Sequence, residues 1–360
     1  MEGTFAPALS PVNGHVYIAA MRRSKILGIT GAGLVVIGFG AYSAFWWFAA
    51  GKIKEEAAKW AEKAHEHEAD VSWKALRVAG YPFAFHVELT DLALRREAPG
   101  RVGEFHAPIF SVSVVPWNLR AADFAASQGF TATLGPDSAP LAKLSADRLS
   151  GAAAVGRDGQ RTVWLSLFGA KGTVGEEISA RVVHGWIIWP RNPPAAHGEP
   201  GLAVAALVRD TAVPAAPPGF ANPIDEISLG LTAMGPIPSG PPRQAATAWR
   251  DSGGTVELDH VNLRWSNVTV NGNGTVALDG DLQPMGSLSG GISGYDQLMN
   301  ALVAAGRVKE KDARVARLAL ALLAHPGPDG RAEIAASLTI QDGEMRLGPA
   351  KLGPAPRINW

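Results

Sequence analysis

The chain has 360 residues, of which 47% are hydrophobic and only 18% charged, and its formal net charge is zero. Because nucleic-acid-binding proteins carry a basic excess, this balance argues against a nucleic-acid partner. Cysteine is absent, which excludes disulfides, thiolate metal sites and a cysteine nucleophile. The apolar content is enough for a sizeable core in a chain of this length.

The N-terminal region contains a long segment without charge, residues 26–51. Roughly 20 apolar residues in a helix cross a bilayer, so this segment predicts a transmembrane helix. It is too long for the apolar part of a cleaved signal peptide and too apolar all round for an ordinary core helix. Its C-terminal end carries the aromatic residues expected at a membrane interface: Tyr42, Phe45, Trp46, Trp47 and Phe48.

Counting basic residues alone does not orient this segment in a membrane. Three precede it and four follow it: Arg22, Arg23, Lys25, then Lys52, Lys54, Lys59 and Lys63. The preceding tail is short, and long domains cross a membrane largely regardless of charge. We therefore predict a single-pass inner-membrane protein, with residues 1–25 in the cytoplasm and the large C-terminal part in the periplasm.

Residues 52–70 are predicted to continue as a helical stalk, because they contain no Gly or Pro and are rich in helix formers. His65 and His67 lie within this stalk and invite a metal interpretation. Side chains two positions apart point to different sides of a helix, so a solvated polar face is the better interpretation.

From residue 71 the apolar pattern alternates, which predicts strands. The first strand is indicated by four alternating residues, after which the pattern slips by one position at Thr90-Asp91: Phe83, Phe85, Val87 and Leu89. Further strands are predicted at 109–115, 129–134 and 161–168, giving a first β-rich subdomain over 71–189. The segment 190–222 is rich in proline and is predicted to be a linker or a long edge loop.

Residues 223–360 are predicted to form a second β-rich subdomain. A strand at 224–234 precedes a short helix near 245–250 and a strand meander over 253–281. Residues 295–324 predict a helical hairpin that covers the sheet, and the second helix carries an apolar face: Val315, Leu318, Ala319 and Leu322. Two strands, 334–340 and 344–347, close the chain. The expected class is mainly β (α+β), with an antiparallel sheet.

An internal repeat supports two similar β units. The segment 87–95 aligns with 256–264 at five identical positions out of nine. The alignment predicts the same strand–slip–strand in both.

Several short motifs occur in a characteristic order: Gly80-Tyr81-Pro82-Phe83, Gly253-Gly254, Leu278-Asp279-Gly280, Gln283-Pro284-Met285-Gly286, Asp342-Gly343 and Leu347-Gly348-Pro349. With the membrane segment, they resemble the bacterial family called domain of unknown function 2125, over roughly residues 22–357. More remotely, the chain is similar to AsmA-like envelope proteins. That resemblance implies an inner-membrane anchor and a periplasmic curved sheet that handles lipid, although a fold alone does not determine function.

The sequence shows no motif that indicates catalysis. A G-x-S-x-G elbow, a Walker loop and an H-E-x-x-H zinc motif are absent, and the nine histidines are scattered. No enzyme activity, cofactor or metal is therefore expected.

The aromatic residues are more informative, because large apolar side chains on strands form either a packed core or the wall of a groove. Five are predicted to line a hydrophobic groove, with a packed core as the open alternative: Phe83, Phe85, Trp164, Trp186 and Trp265. The leading hypothesis is a protein that binds or passes a hydrophobic ligand such as a lipid. The second hypothesis is a structural module that binds an envelope protein partner through exposed strand edges.

Overall fold

The computed structural model describes residues 14–66, 68–98, 101–135, 140–306, 308–327, 330–348 and 350–358. The side chains of 14–33 and of residues 35, 98, 101, 174, 350 and 352 are outside that description. The chain divides into two compact units, Met1–Ala58 and Lys59–Trp360.

A single helix, α1, runs over Gly14–His65 and contains the predicted membrane segment 26–51. The predicted stalk is helical as far as His65, and a strand then begins at Ala69. Of the predicted cytoplasmic tail, residues 1–13 lie outside the described residues. Among helices whose side chains are described, none is both long and apolar enough to cross a membrane.

The first ten strands follow α1 in a meander. Their bounds are β1 Ala69–Ser72, β2 Ala75–Ala79, β3 Phe85–Ala98, β4 Arg101–Val115, β5 Asn118–Ala126, β6 Phe130–Leu134, β7 Ala142–Ala146, β8 Arg148–Val155, β9 Arg161–Val174 and β10 Glu176–Trp189. Because β3, β4 and β9 belong to long hairpins, their alternating apolar pattern can be recognised in the sequence.

The described residues of the second half form nine strands and three helices. They are β11 Pro200–Ala212, β12 Ile224–Met234, α2 Pro242–Asp251, β13 Val256–Trp265, β14 Val268–Leu278, β15 Pro284–Ser293, α3 Tyr295–Ala304, α4 Glu310–Leu323, β16 His325–Pro326, β17 Ala332–Gln341, β18 Glu344–Leu347 and β19 Ala350–Pro354. The predicted strand at 224–234 has the observed bounds of β12.

All strands pair antiparallel in one sheet, and the pairing follows chain order with little rearrangement. β1 and β2 pair with β3, and β3 pairs with β4. β4 pairs with both β5 and β6, which pair in turn with β8 and β7, and both of these pair with β9. From β9 each strand pairs with the next through β15, then β17, β18 and β19, while β16 lies against β17.

This continuous sheet corrects two predictions about domain organisation. The predicted linker at 190–222 contains β11, which pairs along most of its length with β10 and with β12. Proline flanks this strand, but its own sequence is largely Ala, Val and Leu, and it is central in the sheet. The two β units are therefore parts of one sheet, without a boundary at that point.

The predicted repeat holds in an altered form. In β3 the apolar positions change from odd to even residue numbers at Asp91, which has a positive φ of 58°, and the register with β4 is kept. In the matching segment of β13, a bulge between Leu258 and Val261 shifts the register, so apolar residues with even and then odd numbers stay on one face. A residue with positive φ in β3 and a β-bulge in β13 thus produce the same interruption of the alternating sequence pattern.

The helices lie at the strand ends. α2 is held by the Trp249 indole N–H, which donates to the Met234 carbonyl at 2.8 Å. At the other end, Gln297 of α3 bonds to the backbone of Asn267 and of Gly219, both turn residues. The predicted helical hairpin is present as α3 and α4, with contacts to β14 and β17. Its predicted apolar face on α4 is exposed, so it does not cover the sheet.

Candidate hydrophobic groove

The strand register assembles one apolar face across the sheet. Side chains alternate between the two faces of a strand, so residues paired across strands share a face. Three cross-strand rows show this in the second half: Val208–Ile227–Leu263–Val270–Ile292–Ile334, Ala206–Leu229–Val261–Gly272–Gly290–Ala336, and Val204–Leu231–Leu258–Gly274–Leu288–Leu338–Leu347. We call this surface the apolar face; it carries no charged side chain in these rows.

A concavity of about 310 Å³ lies on the apolar face between β13 and β18. We call it the groove. Its side-chain lining comes mainly from six residues, all half-buried: Val261, Val270, Leu288, Ile292, Leu338 and Leu347. Because these side chains retain contact with solvent, the groove is an accessible apolar surface rather than a closed core.

The bottom of the groove is formed by backbone. Gly272 and Gly290 are cross-strand partners on β14 and β15 and both line the concavity. A Cβ atom at Gly290 would lie 1.9 Å from the carbonyl oxygen of Asn271, closer than any real contact. The close approach of the two strands therefore requires glycine, and glycine leaves the space above it empty.

In the first half the same face is filled by phenylalanine rings. Phe105 and Phe130 stack with ring centroids 5.4 Å apart, and Phe110 and Phe124 stack at 6.5 Å. Phe130 belongs to a buried cluster, and the other three rings pack against it: Ala107, Ala126, Phe130, Ala146, Leu149, Leu167 and Ala170. The middle of this part of the apolar face is a packed core. Two further concavities, of about 310 and 260 Å³, also lie in the first half, one lined in part by Leu94 and Phe105 and the other by Val163 and Trp189.

The opposite face of the sheet is polar, and its side chains pair across strands. Ser166 hydrogen-bonds His184 with 2.7 Å between Oγ and Nδ1, and His86 and Ser113 repeat this contact at 2.7 Å. Further along, Arg209 Nε donates to a Glu226 carboxylate oxygen at 3.0 Å. The sheet is amphipathic, with hydration and hydrogen bonding confined largely to one side.

The structure does not bring the five predicted groove residues together. Phe85 is buried on the apolar face, whereas Phe83 precedes β3 in a turn and is 71% exposed. Trp164 and Trp186 are cross-strand partners on the polar face, 40% and 38% exposed, beside Ser166 and His184.

Trp265, the fifth predicted residue, lies at the end of β13, away from the groove lining. Its indole N–H donates to the Ala221 carbonyl at 2.6 Å and its ring packs on Phe220 at 4.7 Å. Together they close the turn at that strand end. The groove residues themselves were missed because the prediction followed the largest aromatic side chains, although strands over 253–281 were predicted from their alternation.

Charged and metal-binding chemistry is sparse near the groove. Among the described residues, no group of three His, Asp or Glu side chains is arranged to hold a metal ion. On β18 the hydrogen bond from Lys351 holds the pKa of Glu344 below its usual value. The groove offers apolar contact area and little else, which suits a hydrocarbon ligand.

Comparison with known proteins identifies the family to which the chain belongs. No curated protein and no solved structure matches the chain. A family model described as "Uncharacterized protein conserved in bacteria (DUF2125)" matches residues 46–356, which is most of the chain and all of the sheet. The resemblance predicted from the ordered glycine and proline motifs is thereby confirmed, and the chain belongs to the DUF2125 family.

Proposed function

We propose that this protein binds a hydrophobic ligand, with the acyl chains of a lipid as the ligand class, in the groove on its apolar face. The observation that carries the proposal is the open, glycine-floored concavity between β13 and β18. Burying a methylene group contributes about 0.8 kcal/mol, so an acyl chain laid along this surface gains affinity without any polar contact.

The continuity of the apolar face favours passage as well as binding. Each cross-strand row continues from one strand to its neighbour, so an apolar chain can move along the sheet without crossing a charged row. Non-directional hydrophobic contact has no fixed register and therefore permits sliding. The remote resemblance to AsmA-like envelope proteins supports the same role.

The proposal includes a membrane anchor at residues 26–51 and a periplasmic sheet. Two observations support the anchor: the segment has no charge over its whole length, and its described apolar side chains are mostly exposed on α1. Full-length chain should stay in membranes on alkaline extraction, and deletion of 26–51 should release it. Recovery of the full chain in the soluble fraction would remove the anchor from the proposal.

Photo-crosslinking tests the groove in the full-length chain within intact cells. Benzoylphenylalanine in place of Leu338 presents the crosslinker to the groove, and the same replacement at Ser337 presents it to the opposite face of β17. Mass spectrometry of the purified adducts identifies what was captured. A lipid adduct at position 338 and none at 337 is the expected result.

A blocking variant makes the test sharper. Ala336→Trp should fill the groove and abolish the lipid adduct at 338, whereas Ala335→Trp, on the opposite face of the same strand, should leave it intact. Equal lipid capture at 337 and 338 would refute a specific groove. Capture of a protein at 338 would instead support the alternative role as a partner-binding module in envelope assembly.

A further inference from the structure

α4 presents a second apolar surface that the groove does not explain. Four side chains on one side of the helix are between 68% and 88% exposed: Val315, Leu318, Leu322 and Leu323. Their spacing of three, four and one residues places them in one stripe. Exposed leucines and valines scattered singly are ordinary, but a continuous stripe along a helix marks a contact surface.

The other side of α4 already has its partners. Ala313 is fully buried, and Arg317 donates to the side-chain oxygen of Asn300 on α3 at 2.6 Å. These two residues lie about half a turn away from Leu322 on the helix, because successive residues are 100° apart. The helix is thus docked by one face, and the apolar stripe faces away from the protein.

The charges beside the stripe identify its occupant. Lys309, Lys311 and Arg314 are exposed at the N-terminal end of the stripe, where Arg314 also pairs with Glu310 at 3.7 Å. The segment 309–323 carries four basic and two acidic residues in a chain of zero net charge. An amphipathic helix with a basic border and an exposed Leu-rich face is typical of helices that lie in the interface of an anionic bilayer. We infer that α4 docks on an anionic membrane surface.

A second copy of the chain is a poorer occupant. The C-terminal end of the stripe, residues 318–323, contains no acidic residue that could pair with Lys311 and Arg314 of another α4. An antiparallel pair of stripes would therefore place two cationic ends against apolar surface. A bilayer supplies hydrocarbon for the stripe and phosphate for the cations at once.

The absence of cysteine permits a direct test in the full-length chain. A fluorophore on Leu322→Cys reports the stripe, and the same fluorophore on Ser337→Cys is the matched control on the sheet. The protein is reconstituted with vesicles in which every bilayer contains a quencher-bearing lipid. We expect quenching at position 322 in phosphatidylglycerol vesicles, weaker quenching in phosphatidylcholine vesicles, and none at 337.

Two variants separate the contributions. Leu318→Glu should abolish quenching at 322, and Lys311→Gln with Arg314→Gln should weaken the docking of α4 on the bilayer about thirtyfold. Equal quenching at 322 and 337 would overturn the inference. So would shielding of the fluorophore at 322 without vesicles, because the stripe would then be covered by the sheet or by a second copy. Lipid capture in the groove does not depend on α4, so each proposal can fail separately.

Discussion

The two halves of the sheet use the same amphipathic pattern with opposite results. In β3 to β9 the middle of the apolar face is buried, from Leu92 and Ala107 through Leu167 and Ala170. In β11 to β18 the large hydrophobic side chains that are buried lie at strand ends and turns, as Ile224, Met234, Val268 and Leu282 do, while the middle of the face is half-buried. The apolar face is therefore a packed core in the first half and a partly solvent-exposed surface in the second half.

Side-chain size explains the difference. Four phenylalanines fill the face in the first half, whereas no strand from β11 onward contains phenylalanine. The second half places glycine at four positions of the face instead, Gly272, Gly274, Gly286 and Gly290. Interiors reach crystal-like packing density only when side chains occupy the available volume. In the second half, glycine therefore leaves volume free in the middle of the face.

Removing the same side chain from each half should give the largest contrast. Leu149→Ala in the first half leaves a cavity in a closed core and should lower the free energy of unfolding by about 3 kcal/mol. Leu288→Ala in the groove removes contacts that were already half solvated, so a loss of about 1 kcal/mol is expected. Chemical denaturation of the full-length chain in mild detergent measures both. Equal losses would mean that the groove is as closed as the core.

Enlarging a side chain should also destabilise the core of the first half much more than the groove of the second half. Ala107 is completely buried, so Ala107→Trp forces strands apart and should cost 2 kcal/mol or more, about the upper range for overpacking. Ala336→Trp enters open space and should leave the denaturation midpoint almost unchanged, as should the opposite-face control Ala335→Trp. A strongly destabilised Ala336→Trp protein would show that the concavity closes in solution.

A substitution at Thr211 tests whether water reaches the interior of the sheet where its two halves join. Its hydroxyl is buried on β11, and among the described residues it is the one buried side-chain polar atom without a hydrogen-bond partner. Replacing it with an isosteric methyl group removes an unpaired buried polar atom, so Thr211→Val should stabilise the protein by about 1 kcal/mol. Thr269→Val, whose hydroxyl accepts from Arg331 at 2.9 Å, is the control and should not stabilise. No gain at Thr211 would mean that water hydrates this hydroxyl.

Much of the sheet could be predicted because apolar and polar residues alternate along long strands that have one solvent-exposed face. The strands missed were β1, β2, β5, β7, β8, β10, β11, β15, β16 and β19. In β5, β8 and β11 alanine recurs on both faces, so apolar and polar positions do not alternate clearly. The groove was harder to predict, because the face on which a side chain lies depends on the positions where the alternation along a strand is interrupted. Asp91, Asp210 and the bulge after Leu258 are such points, and parity from Trp164 or Phe83 alone does not reveal them.

The smallest effect is expected at the far edge of the open half, where Glu344 on β18 accepts a hydrogen bond from Lys351 on β19. This bond lowers the pKa of Glu344 from 4.5, so the carboxylate stabilises the fold at neutral pH. Because the folded pKa lies below the unfolded one, that stabilisation is complete above about pH 4.5 and disappears as the pH falls through the folded pKa.

Lys351→Met should therefore shift the denaturation midpoint slightly at pH 7 and not at all in strong acid. Glu344→Gln should show the same small shift at neutral pH, and salt should reduce it, since the pair lies at the surface. If the difference between Lys351→Met and the unmodified chain instead grows as the pH falls, Lys351 stabilises the edge by another contact. In that case the edge of the open half is held by more than the strand pairing between β18 and β19.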